Sequence, residues 1–394
     1  MAKPKKKEKQ FTRRDFLKAS GATLASVVFF NALGGCARTT TLTETVTSTA
    51  TTSATITKTA TSTAAATDIT TLTPTPTTRV ITDMAGRQVI LPTAISRIAT
   101  VGSVGVLNGF VFAMGQASKV VTGLPPNFDV PSWKYQYVVA PNIKDLPKVQ
   151  AQGSALQIEE LLKVNPDVVF TMDLTTVTTL ENANLATVYL SWTQAEDVKQ
   201  CMTLLGEIFG EEERAQAYIQ YFDDSLNKTR AVTAAIPEAE RVRVFYGTLS
   251  GLNNPHLISE WWIDAAGGLS VTRDIHTTES ITVHSEDMVL WNPQVIFFSS
   301  AGELEAIETD ARFAQLDAVK NKRCYLIPKG VHTWGNRNVE QPLTVLWAGS
   351  RMYPQAFESI DIYTEVKDFY GRFYNTAISD DQVDEILSGD IASF

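Results

Sequence analysis

Cysteine is nearly absent. Three occur in 394 residues, at positions 36, 201 and 324. None forms a CxxC pair, so a cysteine zinc site and dithiol exchange chemistry are excluded. Cys201 and Cys324 fall in different predicted elements and read as buried thiols, with a single disulfide as the alternative. Histidine is equally scarce, and His256, His276, His284 and His332 show no metal-ligand spacing. The chain also lacks HExxH, GxSxG, P-loop and GxGxxG motifs, and "YGTLSG" at Tyr246–Gly251 has the wrong spacing for a nucleophile elbow. No catalytic residue and no cofactor is therefore assigned. Basic charge is short as well: the net charge is −9, and from Cys36 onward 26 basic side chains face 41 acidic ones. A surface of that sign has no electrostatic footprint for nucleic acid. Nor is there an apolar run long enough to span a bilayer, since the stretch from Ala19 to Leu33 falls short of the ~20 residues required.

What the amino terminus does contain is an address. A basic run precedes Arg13-Arg14, then Phe16-Leu17-Lys18, then the short apolar stretch, which is the layout of a twin-arginine export signal. It closes on Leu33-Gly34-Gly35-Cys36, which resembles a lipobox with Cys36 as the lipidated first residue of the mature protein. Cleavage near Cys36 without lipid is the alternative. Residues 37–78 are dominated by Thr, with Ser and Ala, and end in "TPTPTT". Such a segment cannot bury a core and reads as a disordered stalk, open to O-glycosylation.

The remaining 316 residues are comfortable for two lobes. "RVITDMAGRQVILP" (79–92) predicts a hairpin around Ala85-Gly86. Short apolar strands at 97–102, 119–124, 167–172 and 187–192 alternate with helix-length segments, giving a first α/β lobe over 79–193. Residues 194–237 carry apolar positions at helical intervals, Val198, Met202, Leu205 and Phe209, then Ala215, Tyr218, Phe222 and Leu226. Some 25 residues from Glu211 would span about 37 Å and bridge two lobes. Strands at 241–248, 294–300 and 323–328 then open a second lobe over 238–394, with amphipathic helices at its end. One phrase occurs in both lobes. "IEELLKVNPDVVF" (158–170) and "SEDMVLWNPQVIFF" (285–298) align at an offset of 127 residues. Each reads as an acidic helix start, an Asn-Pro stop and a buried strand.

These features together resemble a class III substrate-binding protein of ABC importers, the group that handles ferric siderophores, haem, cobalamin and related chelates. The resemblance rests on "ITDMAGRQVILP", "EELLKVNPDVVF", the bridging helix, "WWIDAAGGLSV", "SEDMVLWNPQVIFF" and "PLTVLWAGSRMYPQAF", and covers 79–394. It implies two Rossmann-like lobes, a ligand cleft between them, and a monomer that hands a chelated metal to a permease. It also implies that Glu159 and Glu286 dock onto permease arginines. The residues support this independently, because equivalent acids on equivalent helix starts suit a two-fold partner. Glu160 and Asp287 are the rival positions, and complementing the helix dipole is the alternative role for all four.

Ligands of open α/β sheets sit beyond the carboxyl ends of the strands. That rule singles out Ser103, Trp133, Tyr135, Tyr246, Trp334 and Arg337 as cleft candidates, aromatic walls with one anion-gripping fork. His332 is a candidate direct metal ligand, ranked below capture of an already chelated metal. A ferric siderophore is the expected cargo, ahead of a corrinoid or haem and then of molybdate or tungstate. An exported hydrolase or redox enzyme is the alternative from another class.

Overall fold

The computed structural model describes residues 77–249 and 251–394. The twin-arginine segment, Cys36 and the Thr-rich stretch to residue 76 lie outside them.

The predicted hairpin pairs β1 (Thr78–Thr82) with β2 (Gln88–Pro92) in antiparallel register. Its turn is organised by the buried Asp83, whose carboxylate accepts from the backbone of Ala85, Arg87 and Tyr189 and from the Arg87 side chain. Next comes a parallel three-stranded sheet, β3 (Ile98–Val101), β4 (Val168–Thr171) and β5 (Thr187–Tyr189). β3 and β4 are wholly buried, as unbroken apolar strands covered on both faces should be. The strand expected over 119–124 is reduced to one bridge, Ile98 to Val120. Gly123 turns the chain away there, donating to the Pro147 carbonyl so closely to residues 143–146 that a Cβ would strike the Leu146 oxygen.

The second lobe has a parallel sheet in the order β11 (Cys324–Leu326), β10 (Val295–Phe298), β6 (Arg243–Gly247), β8 (Leu269–Ser270). A two-residue ribbon, β7 (Asn253–Asn254) with β9 (Ile281–Thr282), stands beside it. Two parallel-sheet lobes are the fold expected from the sequence.

The repeated phrase has one conformation in both lobes. Short helices Ile158–Lys163 and Ser285–Trp291 bury Leu161 and Met288 at equivalent positions. Each helix is then stopped by an asparagine with positive φ, 41° at Asn165 and 42° at Asn292. The following proline excludes the right-handed helical conformation there, and Asn tolerates the left-handed one better than most residues.

The helical stretch between the lobes is two helices, Ala195–Phe209 and Glu212–Thr233, broken at Gly210 with φ 68°. The second runs for about 33 Å. It packs against the helices Gln341–Met352 and Ile362–Phe373, with Tyr218 and Tyr221 meeting Phe369 and Phe373 edge-on. One large apolar core runs through both lobes, from Phe110 and Trp192 through Tyr218 to Trp262 and Trp347. Two smaller cores fill the outer faces, one around Val169 and Leu180, the other around Ile296 and Phe313. The carboxy-terminal helices therefore serve both lobes. Tyr135 and Lys134 of the first lobe bond Glu385 at 2.8 and 2.7 Å, and Arg214 donates to the Phe373 carbonyl at 2.7 Å. Cys201 is buried and Cys324 half-buried, both as free thiols.

Candidate ligand-binding site

A cavity of 230 Å³ lies where the lobes face each other, lined by Ser103, Phe128 and Trp133 from the first lobe and by His256, His332, Thr333, Asn336 and Arg337 from the second, with Val106 at its base. Ser103 precedes the helix Val104–Ala113 and its hydroxyl makes no capping bond, so one helix amino terminus opens toward the cavity. Phe128 and Trp133 meet at a tilt, ring centres 4.6 Å apart, over Gly105, where any Cβ would meet both rings.

The second-lobe wall is a loop held by side chains. Asn338 donates to the carbonyls of Trp334 and Asn336, each at 2.8 Å. Gln341 adds a bond to Asn336 O at 2.7 Å, and Thr344 one to Trp334 O at 2.9 Å. All three side chains are buried and their donors hold the loop, while Asn338 Oδ1 and Gln341 Oε1 make no hydrogen bond among the described residues. The loop is also tied to the first lobe. Thr100, Asn108 and Gln136 form a buried hydrogen-bond chain that ends on the Val331 carbonyl at 2.8 Å.

Two cations stand in or beside the cavity, Arg337, paired with Glu279 at 3.3 Å, and Lys329. Arg337 lines the cavity directly. Lys329 places its ammonium 4.3 Å from the Trp133 ring centre with no carboxylate paired to it among the described residues, and burial pushes its pKa down to about 8. His332 sits 5.0 Å from Trp133, its Nδ1–H donating to the Thr333 carbonyl at 3.2 Å. Burial lowers its pKa to about 3, helped by Lys329, His256 and Arg337, so the ring is neutral. Beneath the loop, Glu340 is wholly buried and accepts from the His332 N–H at 3.3 Å. Burial raises its pKa to about 7 against the hydrogen bonds that favour its charge.

Of the six cleft candidates from the sequence, the structure brings Ser103, Trp133 and Arg337 to the cavity. The other three are buried elsewhere, a correction to the aromatic wall expected from loop position alone. Tyr135 turns into the core to bond Gln382 O and Glu385. Trp334 packs inward from the loop it anchors, and Tyr246 lies behind the cavity, touching it only through a 2.6 Å bond to Asn336. Phe128, His256, Thr333 and Asn336 also line the cavity and are not among the six. No local signal marks His256, which reaches the cavity only through the β7–β9 ribbon. His332 does line the cavity, but no group of three or more potential metal ligands exists among the described residues. Asp173 and Ala301-Gly302, which also follow strand ends, lie away from it: Asp173 caps a helix at Thr175 N, and Ala301-Gly302 border a separate surface depression.

Glu159 and Glu286 are exposed on their helices, while their neighbours have local work. Glu160 pairs with Lys163 at 2.7 Å, and Asp287 accepts from the His284 N–H at 3.0 Å as part of a capping box.

Comparison with known proteins places the fold in a family. The family model described as periplasmic binding protein matches residues 109–331, more than half of the chain. The chain belongs to the periplasmic binding protein family. It is a solute-binding protein of the class III kind that serves an ABC importer, not an enzyme. A crystal structure of a periplasmic solute-binding protein from Veillonella parvula superposes with a TM-score of 0.68 at 25% identity, covering 80% of this chain and all of that one. The molybdate-binding protein MolA of Haemophilus influenzae is 23% identical over 331 residues, 77% of this chain and 93% of its own length. A cobalamin-binding protein of Halobacterium salinarum is 28% identical over 183 residues, 44% of this chain and 48% of that protein.

Proposed function

We propose that this binding protein captures a compact anion, an oxyanion of the molybdate type, and delivers it to its permease through Glu159 and Glu286. The observation that carries the reading is the convergence of Arg337, His256, Ser103, Thr333 and Asn336 on a cavity of 230 Å³. Pockets for drug-sized ligands run to about 300–1,000 Å³, so a macrocycle or an entire siderophore exceeds this one. Hydroxyls, an amide and a guanidinium suit a small anion better than an apolar ring system. The similarity to a molybdate-binding protein over most of its length favours the same choice. The small volume and the similarity to a molybdate-binding protein thus favour the oxyanion, ranked last from the sequence, over the ferric siderophore ranked first.

A second reading keeps the ferric chelate. The Phe128–Trp133 wall could flank an anionic chelate that inserts only its charged edge. Titration calorimetry with molybdate, tungstate, sulfate and ferric citrate separates the two. Submicromolar molybdate binding with a one-to-one ratio supports the first reading. Binding of ferric citrate alone replaces it with the second, and binding of none of these anions ends both.

Export by the twin-arginine route and a diacylglycerol on Cys36 complete the proposal, supported by the amino-terminal sequence. A Cys36→Ala variant should be released from membranes. Unchanged membrane retention would remove the anchor from the proposal.

A further inference from the structure

Two of the chain's four histidines, His256 and His332, line the same cavity, and each has one ring nitrogen engaged. His332 Nδ1 donates to the Thr333 carbonyl at 3.2 Å, and His256 Nδ1 lies 2.8 Å from a Glu279 carboxylate oxygen. A carbonyl and a carboxylate only accept, so each neutral ring carries its proton on Nδ1 and keeps a lone pair on Nε2. Metal-ligating histidines are held in this same way, the outer N–H given to a carboxylate or a backbone carbonyl.

Both rings are fixed from behind. The His332 N–H donates to buried Glu340 at 3.3 Å, and the imidazole packs against Trp133 at 5.0 Å. The register of the β7–β9 ribbon, Asn253 with Thr282 and Asn254 with Ile281, carries on to set His256 opposite Glu279. The Asn253 side chain secures that ribbon by donating to Ser280 Oγ at 2.8 Å and to Ile281 O at 3.0 Å.

A lone pair turned toward the oxygens of an anion repels them. Turned toward a metal atom, it binds. Sulfur and phosphorus in their tetrahedral oxyanions take no further nitrogen donor, whereas molybdenum and tungsten widen their coordination shell beyond the tetrahedron. Iron in a ferric chelate likewise accepts imidazole. The oxygens of such a cargo have other partners. Arg337 lines the cavity, and Asn336 Oδ1 accepts from Tyr246 Oη at 2.6 Å, which leaves Asn336 Nδ2 as the donor for the ligand.

We propose that His256 and His332 ligate the metal atom of the cargo through Nε2, and that this pair selects metal-centred anions over sulfate and phosphate. The inference rests on the anion reading of the cavity and deepens it, and it applies equally to a small ferric chelate. Two imidazoles are too few to hold a bare ion, so the metal arrives with oxygens of its own. On binding, two dative Nε2–metal bonds form and no proton leaves either ring. Molybdate keeps its oxygens, and a ferric chelate gives up bound water.

X-ray absorption on the full chain loaded with molybdate tests the ligation without any variant. The spectrum expected at the molybdenum edge shows imidazole scattering and a weaker pre-edge feature than free tetrahedral molybdate. In calorimetry, H256A and H332A should each bind molybdate roughly tenfold or more weakly than the parent. Sulfate affinity should not fall, so the preference for molybdate over sulfate drops by the same factor. Unfolding midpoints check that both variants fold, and the absorption spectrum decides if H332A does not. A tetrahedral spectrum without nitrogen scattering, or equal losses for molybdate and sulfate, would overturn the ligation alone. If ferric citrate is the anion that binds, the iron edge carries the same test. A parent protein that binds none of these anions fails at the earlier reading, and this inference falls with it.

Discussion

Arg97 and Arg243 do the same work in opposite lobes. Arg97 donates to the Val164 and Asn165 carbonyls, and Arg243 to those of Trp291 and Asn292, positions related by the 127-residue offset of the repeated phrase. The next shell repeats too. Asp167 accepts from Arg97 N at 2.9 Å, and its counterpart Gln294 accepts from Arg243 N at 3.0 Å. Each arginine thus closes the carboxyl end of an acidic helix and ties it to the strand beside it. Helix ends leave carbonyls without partners, and a cation there also complements the dipole. R97A and R243A should each lower the unfolding free energy by about 1–2 kcal/mol, discounted for the exposure of both side chains. The two losses should add, because the residues belong to separate sheets. Denaturant melts of the single and double variants measure this, and strong non-additivity would show that the lobes do not hold these clamps independently.

The same two helices carry Glu159 and Glu286, the acids proposed to dock the permease. Beside exposed Glu159 and Glu286 lie equally placed aliphatic residues, Leu162 at 45% exposure and Val289 at 53%, with Leu290 at 80%. Exposed aliphatics repeated at equivalent positions suit a surface that is covered in a complex. E159A/E286A should abolish uptake in whole cells while leaving ligand affinity in solution unchanged. D287A should instead cost about 1 kcal/mol of stability, because Asp287 caps its own helix. Normal uptake by the double variant would remove these residues from the docking role.

Glu340 and His332 should give stability opposite slopes in pH. The folded state holds the Glu340 proton up to about pH 7, above its ordinary value near 4.5, so this group binds more protons folded than unfolded in that window. Its contribution is full below pH 4.5 and declines as pH rises through 7. His332 is held neutral to about pH 3 against an ordinary 6.5, so its contribution is full above 6.5 and declines as pH falls toward 3. Between 4.5 and 6.5 the slopes partly cancel. E340Q should therefore expose a clear rise of stability with pH over that interval, read from thermal midpoints. A profile identical to that of the parent would mean that Glu340 is not held protonated.

Trp133 is the one tryptophan that lines the cavity. Ligand binding should alter its emission, since charge enters beside a ring already in contact with His332 and the Lys329 ammonium. W133F should erase most of the ligand-induced fluorescence change while the unliganded fold persists. An undiminished change in W133F would place the ligand elsewhere.

The displaced tyrosines separate packing from binding. Y135F should cost about 1 kcal/mol through its lost bonds to Gln382 and Glu385 and leave affinity alone. Y246F should weaken binding a few-fold, because Tyr246 Oη holds Asn336 at the cavity edge. Calorimetry and melts on both variants test the pair. Weaker binding in Y135F with Y246F unaffected would reverse these assignments.

The sequence by itself determined the parts that depend on short-range physics. Alternating and unbroken apolar runs fixed the hairpin and most buried strands, and Asn-Pro fixed the ends of both acidic helices. Ser379 accepts from Gln382 N and caps the last helix, Asp380–Ser388, as a serine before two acids should. Period and turn chemistry act within a few residues, so they can be read along the chain. Tertiary structure alone decided which loop residues meet. Strand ends nominated six cleft residues, but Tyr135, Tyr246 and Trp334 found better burial in a core shared by both lobes. His256, Phe128 and Asn336 became cavity residues through contacts between segments distant in sequence. Side-chain direction in a loop is set by what packs against it, and those partners are assembled only when both lobes close around one core.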